Sequence, residues 1–323
     1  MKRREAIVLG AAVLAAPFTV RAQRTTAVIG FLVPTTREAF ASRIDGVKAG
    51  LRELGYAEGR DVAFAYRAAD DRYERLDALA AELVALKADV LVTAGTPGAL
   101  ALKRATTTVP IVLSAISDPV ATGVVTSLAR PTGNITGMMF FVQELGVKRL
   151  EMLRQAAPQL KRVAVLMNAD NASMVPVERE MRPAAKQLGL EMQRHDVRTP
   201  QDFDAAFAAM AVARAEALVI VEDAMLNVNA ARLGAAATAK RLVSIGAPEV
   251  ALGGGTFAYG VDQVAMFRRS AYFIDKILKG AKPADLPIER TSKFDLTVNL
   301  KSATALGLKL PQTVLLRADR VIE

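Results

Sequence analysis

Cysteine and tryptophan are absent from this sequence, and histidine occurs once, as His195. Without cysteine there is no disulfide framework, no thiolate metal site and no cysteine nucleophile. A single histidine makes a histidine-based zinc site or a Ser-His-Asp relay hard to assemble. Basic residues are scattered along helical faces and do not gather in a patch, so nucleic-acid binding has little support. No apolar run beyond the amino-terminal segment is long enough to cross a bilayer. Nothing in the composition asks for a cofactor or a metal.

The chain has 323 residues, more than one hydrophobic core usually serves, and a 52% hydrophobic composition suits two well-packed lobes. Residues 1–22 read as an export signal. Lys2-Arg3-Arg4 is the charged head, residues 6–20 are apolar, and Val20-Arg21-Ala22 offers cleavage before Gln23. The adjacent arginines leave the general and twin-arginine routes both open. Cleavage removes Lys2, Arg3, Arg4, Arg21 and Glu5, which lowers the formal net charge from +9 to +6. Solvated helix faces account for most of the remaining charge.

Residues 26–33 form a continuous apolar run of strand length, suited to a parallel sheet covered on both faces. Phe40, Ile44, Val47, Leu51 and Leu54 then make a helical stripe that stops at Gly55. A strand over 61–66, a helix through Leu76, Leu79, Leu83 and Leu86, and strands at 90–94 and 111–113 continue the alternation. Thr96 and Pro97 read as the cap and first residue of a helix, and Ser117-Asp118-Pro119 repeats that device. Alternating strands and helices imply an open α/β sheet, in which ligands bind beyond the carboxyl ends of the strands. Thr35, Thr36, Gly95, Thr96, Ser117 and Asp118 share that edge, each with capping as its ordinary role.

A strand over 135–141 leaves this unit, and a second series begins at 163–167. Val28-Ile29-Gly30-Phe31-Leu32 is echoed by Val163-Ala164-Val165-Leu166-Met167, Leu54-Gly55 by Leu188-Gly189, and Ala88-Asp89-Val90 by Ala215-Glu216-Ala217. Their common order argues for two similar lobes. Pro183 is expected to kink or interrupt a helix. A strand over 217–221 ends at Glu222-Asp223, a pair that reads first as solvated loop, then as a contact for a ligand amine. Catalysis by Glu222, Asp223 or His195 lacks an activated nucleophile. His195, in a strand over 191–197, reads as structural.

Gly253-Gly254-Gly255-Thr256-Phe257-Ala258-Tyr259-Gly260 packs four glycines into eight residues, the mark of a turn, a hinge or a ligand-contacting loop. A helix with Phe267, Ile274 and Leu278 follows, then an extended connection through Pro283 and Pro287. A strand over 294–299 and a short helix ending at Leu306-Gly307 make up the tail.

The chain resembles the type I periplasmic substrate-binding proteins of ABC transporters, in the family related to tryptophan and tyrosine binders. The resemblance spans the mature length. It rests on Ser117-Asp118-Pro119-Val120, the run from Ser127 through Arg130-Pro131-Thr132-Gly133-Asn134 to Gly137, Lys148-Arg149-Leu150-Glu151, Phe257-Ala258-Tyr259-Gly260, Leu286-Pro287-Ile288-Glu289 and Asn299-Leu300-Lys301-Ser302-Ala303. It implies two Rossmann-like α/β lobes with parallel sheets, joined by three hinge crossovers that close over a ligand.

On that template lobe one is residues 25–136 plus 254–283, and lobe two is 137–253 plus 284–323. The crossings then fall near 134–138, 252–256 and 283–287. Gly253–Gly255 becomes a hinge, and replacing Gly254 with a β-branched residue is expected to impair closure more than folding. The implied pocket takes Thr35, Thr36, Gly95, Thr96, Ser117 and Asp118 from lobe one. Lobe two adds Asn168, Asp170, Asn171, Ser173, Glu222 and Asp223. An anion would rest on the Thr96 or Ser117 helix ends, an ammonium on Asp170 or Asp223, and an apolar body on Phe141 or Tyr259. Amino-acid binders of the family often carry Asp-Asn where this chain has Asp223-Ala224.

The implied partners are a small molecule and an ABC permease. An amino acid, an aromatic compound and a small organic acid are the candidate ligands. The implied protein is a monomeric periplasmic receptor and not an enzyme; the alternative is a sensing subunit for a membrane signalling protein.

Overall fold

The apolar runs of the sequence become strands of two separate sheets. The computed structural model describes residues 26–131 and 133–323, so the expected export signal lies outside the described residues. The first sheet is built from β1 (Ala27–Val33), β2 (Val62–Ala68), β3 (Val90–Ala94), β4 (Ile111–Ile116) and β5 (Ile135–Met139), all parallel, in the order β2-β1-β3-β4-β5. Every residue of β3, β4 and β5 is buried, which is why these strands are mostly apolar, with Thr93, Ser114 and Thr136 as their polar residues. The covering helices α1 (Ala41–Glu53), α2 (Leu76–Ala85) and α3 (Gly95–Ala105) alternate with the strands.

After β5 the chain enters α4 (Val142–Ala156), which packs on the second sheet, so the first crossing lies at Phe140-Phe141. The second series runs β6 (Arg162–Asn168), α5 (Met174–Gln187), β7 (Glu191–Val197), α6 (Phe203–Val212), β8 (Ala217–Ile220), α7 (Ala224–Val228), α8 (Ala230–Ala239), β9 (Val243–Gly246), α9 (Pro248–Leu252) and β10 (Phe257–Gly260). Its strands lie in the order β7-β6-β8-β9-β10. That is the order of the first sheet, and Val163 of β6 pairs with Ala217 of β8 as Ile29 of β1 pairs with Val90 of β3. Two α/β lobes of one design result. Pro183 does not interrupt α5, which is helical on both sides of it. The residue is exposed, so the backbone carbonyl that loses its partner can face water.

β10 corrects the expected division. It pairs with β9 and, antiparallel, with a later strand of the same sheet, so it belongs to the second lobe. The chain returns only at Val261-Asp262, into α10 (Gln263–Leu278), which packs on α1, β4 and β5. β11 (Glu289–Arg290) then pairs with β5. The third crossing covers residues 291–294, before β12 (Asp295–Asn299), α11 (Leu300–Ala305), α12 (Gln312–Leu315) and β13 (Arg320–Ile322) complete the seven-stranded sheet and its cover. Each crossing therefore lies beyond its expected place.

The glycine run is a packing turn inside the second lobe. A Cβ on Gly253 would stand 2.2 Å from Ala231 Cα of α8, and one on Gly255 would stand 2.8 Å from Val250 O. Gly254 has φ +99°, a conformation that favours glycine, and its carbonyl accepts hydrogen bonds from Thr238 Oγ1 (2.7 Å) and Ser302 Oγ (2.6 Å). These contacts tie α8, α9 and α11 together, and none of them spans the lobes.

Candidate ligand-binding cleft

The carboxyl ends of both sheets face one another across a cavity lined by residues from both lobes. The first lobe contributes Phe40, Gly95, Thr96, Ser117 and Gln263, the first crossing contributes Phe140, and the second lobe contributes Val142, Asn171, Ser173, Glu222, Asp223 and Asn227. Four buried side-chain atoms that lack a hydrogen-bond partner among the described residues belong to this lining: Thr96 Oγ1, Ser117 Oγ, Glu222 Oε2 and Asn227 Oδ1. Buried polar atoms are ordinarily paired, so four orphans on one cavity wall describe a surface that awaits a polar partner.

Local structure explains each position. α3 begins at Gly95, one residue earlier than its cap was expected; Ala94 stands at the cap position and provides no side-chain bond. Its first amide groups and the Thr96 hydroxyl are thus free to serve something else. Ser117 follows β4, where Asp118 Oδ1 accepts from Val120 N and Ala121 N at 3.0 Å each and holds the turn. In the second lobe Asp223 caps α7, accepting from Met225 N (3.0 Å) and Leu226 N (3.3 Å). Asn227 lies one turn further along that helix.

Glu222 and Asp223 are 5% and 4% exposed, so the solvated loop expected for them is a buried pair. Their surroundings differ. Glu222 Oε1 receives Arg149 Nη2 at 2.5 Å, and Arg149, 1% exposed, also donates to Tyr259 O from Nε (2.9 Å) and Nη2 (2.7 Å) and to Ile220 O from Nη1 (2.9 Å). Among the described residues no cation pairs with Asp223. It is held by Asn168 Nδ2 (3.1 Å), Asn171 Nδ2 (2.9 Å) and the hydroxyl of Tyr73, which comes from the first lobe. Burial, then the Asp223 charge, holds the Tyr73 hydroxyl well above the usual phenol range. Asp71 is pushed up to about 6, first by burial and then by the charges of Asp223 and Asp70.

Of the residues expected in the pocket, Gly95, Thr96, Ser117, Asn171, Ser173, Glu222 and Asp223 line the cavity, and seven others do not. Thr35 is fully buried with its hydroxyl on Thr36 O, and Thr36 Oγ1 accepts from Ala39 N in the following turn. Asn168 stands behind Asp223 as a support. Asp170 pairs with Arg198. Asp118 and Phe141 line a separate groove, where Arg290 lies 4.2 Å from the Phe141 ring centre. The Tyr259 ring stacks on Phe294 at 5.9 Å. His195 lies in β7, outside the cavity, and burial lowers its pKa.

Phe40, Phe140, Val142, Asn227 and Gln263 line the cavity although the sequence reading passed over them. Phe40 reads as part of a core stripe, and Asn227 carried one usable signal, its place four residues after Asp223 on a helix that Asp223 caps.

Solved structures share this architecture. A conserved domain protein from Vibrio cholerae aligns over 92% of this chain and 100% of its own, with TM-score 0.85 and 26% identity. The ABC domain from Streptococcus pneumonia in complex with L-Trp aligns over 91% of this chain and 100% of its own, with TM-score 0.82 and 24% identity. Among curated proteins, the tyrosine-binding protein of Clostridioides difficile (strain R20291) is 22% identical over 260 residues, covering 80% of this chain and 74% of that protein. The family model for ABC transporter substrate binding protein matches residues 28–322, a span that takes in both walls of the cavity, and the chain belongs to that family.

Proposed function

We propose that the chain is a periplasmic solute receptor that clasps a small polar molecule between its lobes and delivers it to an ABC permease. The observation that carries this reading is the convergence of Thr96 Oγ1, Ser117 Oγ, Glu222 Oε2 and Asn227 Oδ1, all without partners, on one cavity between the sheets. On this reading the moving lobes are residues 26–139 with 263–290, and 142–260 with 295–323. The crossings at 140–141, 261–262 and 291–294 act as hinges.

Closure is held by contacts that ring the cleft: Tyr73 with Asp223, Arg43 with Glu249 at 3.5 Å, and Arg290 with Glu144 at 2.6 Å. A ligand that bridges the walls adds to them and shifts the population toward the closed form, which is the form a permease recognises. No bond is made or broken in the ligand. The relatives named for tyrosine and L-Trp support a solute of amino-acid size, and residues 1–22 are removed on export.

The test is thermal unfolding of the chain lacking residues 1–22 against a metabolite library. A true ligand at about one hundred times its Kd adds about 2.7 kcal/mol of stability. Failure of every compound to raise the melting temperature contradicts the reading.

A further inference from the structure

We propose that Glu222, and not its neighbour Asp223, selects the solute, and that it selects for a protonated amine. The proposal rests on the receptor reading above and goes on to assign the chemistry of the ligand.

A carboxylate has about four lone-pair sites. Those of Asp223 are taken by five donor hydrogens: Oδ1 accepts from Asn168 Nδ2, Met225 N and Leu226 N, Oδ2 from Asn171 Nδ2, and the single Tyr73 hydroxyl proton is shared between the two oxygens. It has nothing left to offer a ligand. Glu222 has one oxygen on Arg149 and the other, Oε2, buried, unpartnered and on the cavity wall. Arg149 is fixed by two backbone carbonyls, Ile220 O and Tyr259 O, so it holds Glu222 in that pose. The packing around the pair is close, since a Cβ on Gly260 would stand 3.4 Å from both Arg149 Nη2 and Glu222 Oε1.

The charge and polarity of the walls give the ligand's chemistry. Every donor to Asp223 is neutral, and the cations near Glu222 are Arg149, bonded to it, and Arg43, which also pairs with Glu249; three carboxylates, Glu222, Asp223 and Glu249, thus share two cations, and one carboxylate charge is left uncompensated. Asn227 Oδ1 is a second orphan on the same side, and both atoms only accept hydrogen bonds. A ligand must bring hydrogen-bond donors there, and of N–H and O–H donors a protonated amine also brings the compensating charge. Across the cavity stand the hydroxyls of Thr96 and Ser117 and the uncapped amino terminus of α3, groups that suit an acceptor or an anion. The cleft is thus polarised, with the amine end of a zwitterion toward the second lobe and its carboxylate toward the first. Phe40, Phe140 and Val142 enclose the body between them.

Calorimetric titration with matched probe triads tests this: L-alanine, propionate and ethylamine; L-leucine, 4-methylpentanoate and 3-methylbutylamine; L-phenylalanine, 3-phenylpropanoate and 2-phenylethylamine. In at least one triad the amine-bearing zwitterion is expected to bind, with the deaminated acid at least tenfold weaker. Glu222→Gln keeps an oxygen for Arg149 and is expected to bring zwitterion and acid within about threefold, as a lost charge-assisted bond requires. Asp223→Asn is expected to weaken both alike, because it loosens closure and leaves discrimination intact. An acid that binds as well as its zwitterion in the wild-type protein overturns the proposal, whether or not Glu222→Gln folds. Undiminished discrimination in Glu222→Gln overturns it too. If no triad binds but the metabolite library yields a neutral or anionic solute, the proposal falls and the receptor reading stands; if the library yields nothing, both fall.

Discussion

The hydroxyl of Tyr73 lies 3.0 and 3.1 Å from the two carboxylate oxygens of Asp223, and the two residues come from different lobes. Tyr73 sits in the short turn Tyr73–Arg75 that leads into α2, while Asp223 caps α7. The bond exists only when the lobes meet. Tyr73→Phe is expected to weaken solute binding about tenfold, the worth of roughly 1.5 kcal/mol for a hydrogen bond to a charged group. Melting of the ligand-free protein should change less. Calorimetry and thermal unfolding on the same variant separate the two, and an affinity left unchanged would rule out the latch.

Asp71 gives closure a pH dependence. Its carboxyl is pushed up to about 6 from an ordinary 3.8, first by burial and then by the charges of Asp223 and Asp70, and the Asp223 part acts only when the lobes meet. A raised acid pKa means that closing takes up a proton, so the penalty is present above pH 6 and relieved as pH falls through 6 toward 4. Affinity is expected to rise from pH 7 to pH 5, by less than the roughly tenfold that the whole shift would give, since part of it arises within one lobe and the group is partly exposed. Asp71→Asn should flatten this profile; an unchanged slope would assign it elsewhere.

Removing Arg149 leaves the Glu222 carboxylate buried without its cation. Arg149→Met is expected to cost about 3–5 kcal/mol of stability, the usual result of breaking a buried pair from one side. Neutralising both partners, as in Arg149→Met with Glu222→Gln, should cost clearly less than the two single changes added together. Denaturant unfolding of the four proteins measures the coupling, and strict additivity would show that the pair acts independently.

Gly253→Val is expected to destabilise the second lobe. A side chain there meets the Ala231 backbone at 2.2 Å, and α8 would have to move. A melting temperature within a degree or two of wild type, together with slower closure, would restore the hinge role that the glycine run suggested from sequence.

The lobes were legible because strands buried on both faces are predominantly apolar, and the runs at Ile29, Val90, Val163 and Leu218 are so. The crossings are not legible from glycine and proline, because these residues mark tight packing and turns as well as hinges. Gly253 and Gly255 are small so that α8, α9 and β9 can approach. The internal repeat carried the correct signal: if β6, β8 and β9 repeat β1, β3 and β4, then β10 must complete its sheet as β5 does.

The cleft was half legible for a related reason. Strand ends are readable from sequence, and Thr96, Ser117 and Glu222 follow them directly. Side-chain partners are not, so nothing in the sequence showed that Asp223 would be saturated while Glu222 kept an open oxygen. Tyr73 and Asn227 come from short helical segments whose facing depends on how the lobes meet.

The most direct measurement is a crystal structure of the chain lacking residues 1–22 with its solute bound. The account predicts the solute within hydrogen-bond reach of Thr96 Oγ1, Ser117 Oγ, Glu222 Oε2 and Asn227 Oδ1, with Tyr73 bonded to Asp223. A solute found outside this cavity, for instance in the groove beside Phe141, or a cleft that stays open around it, would contradict the account.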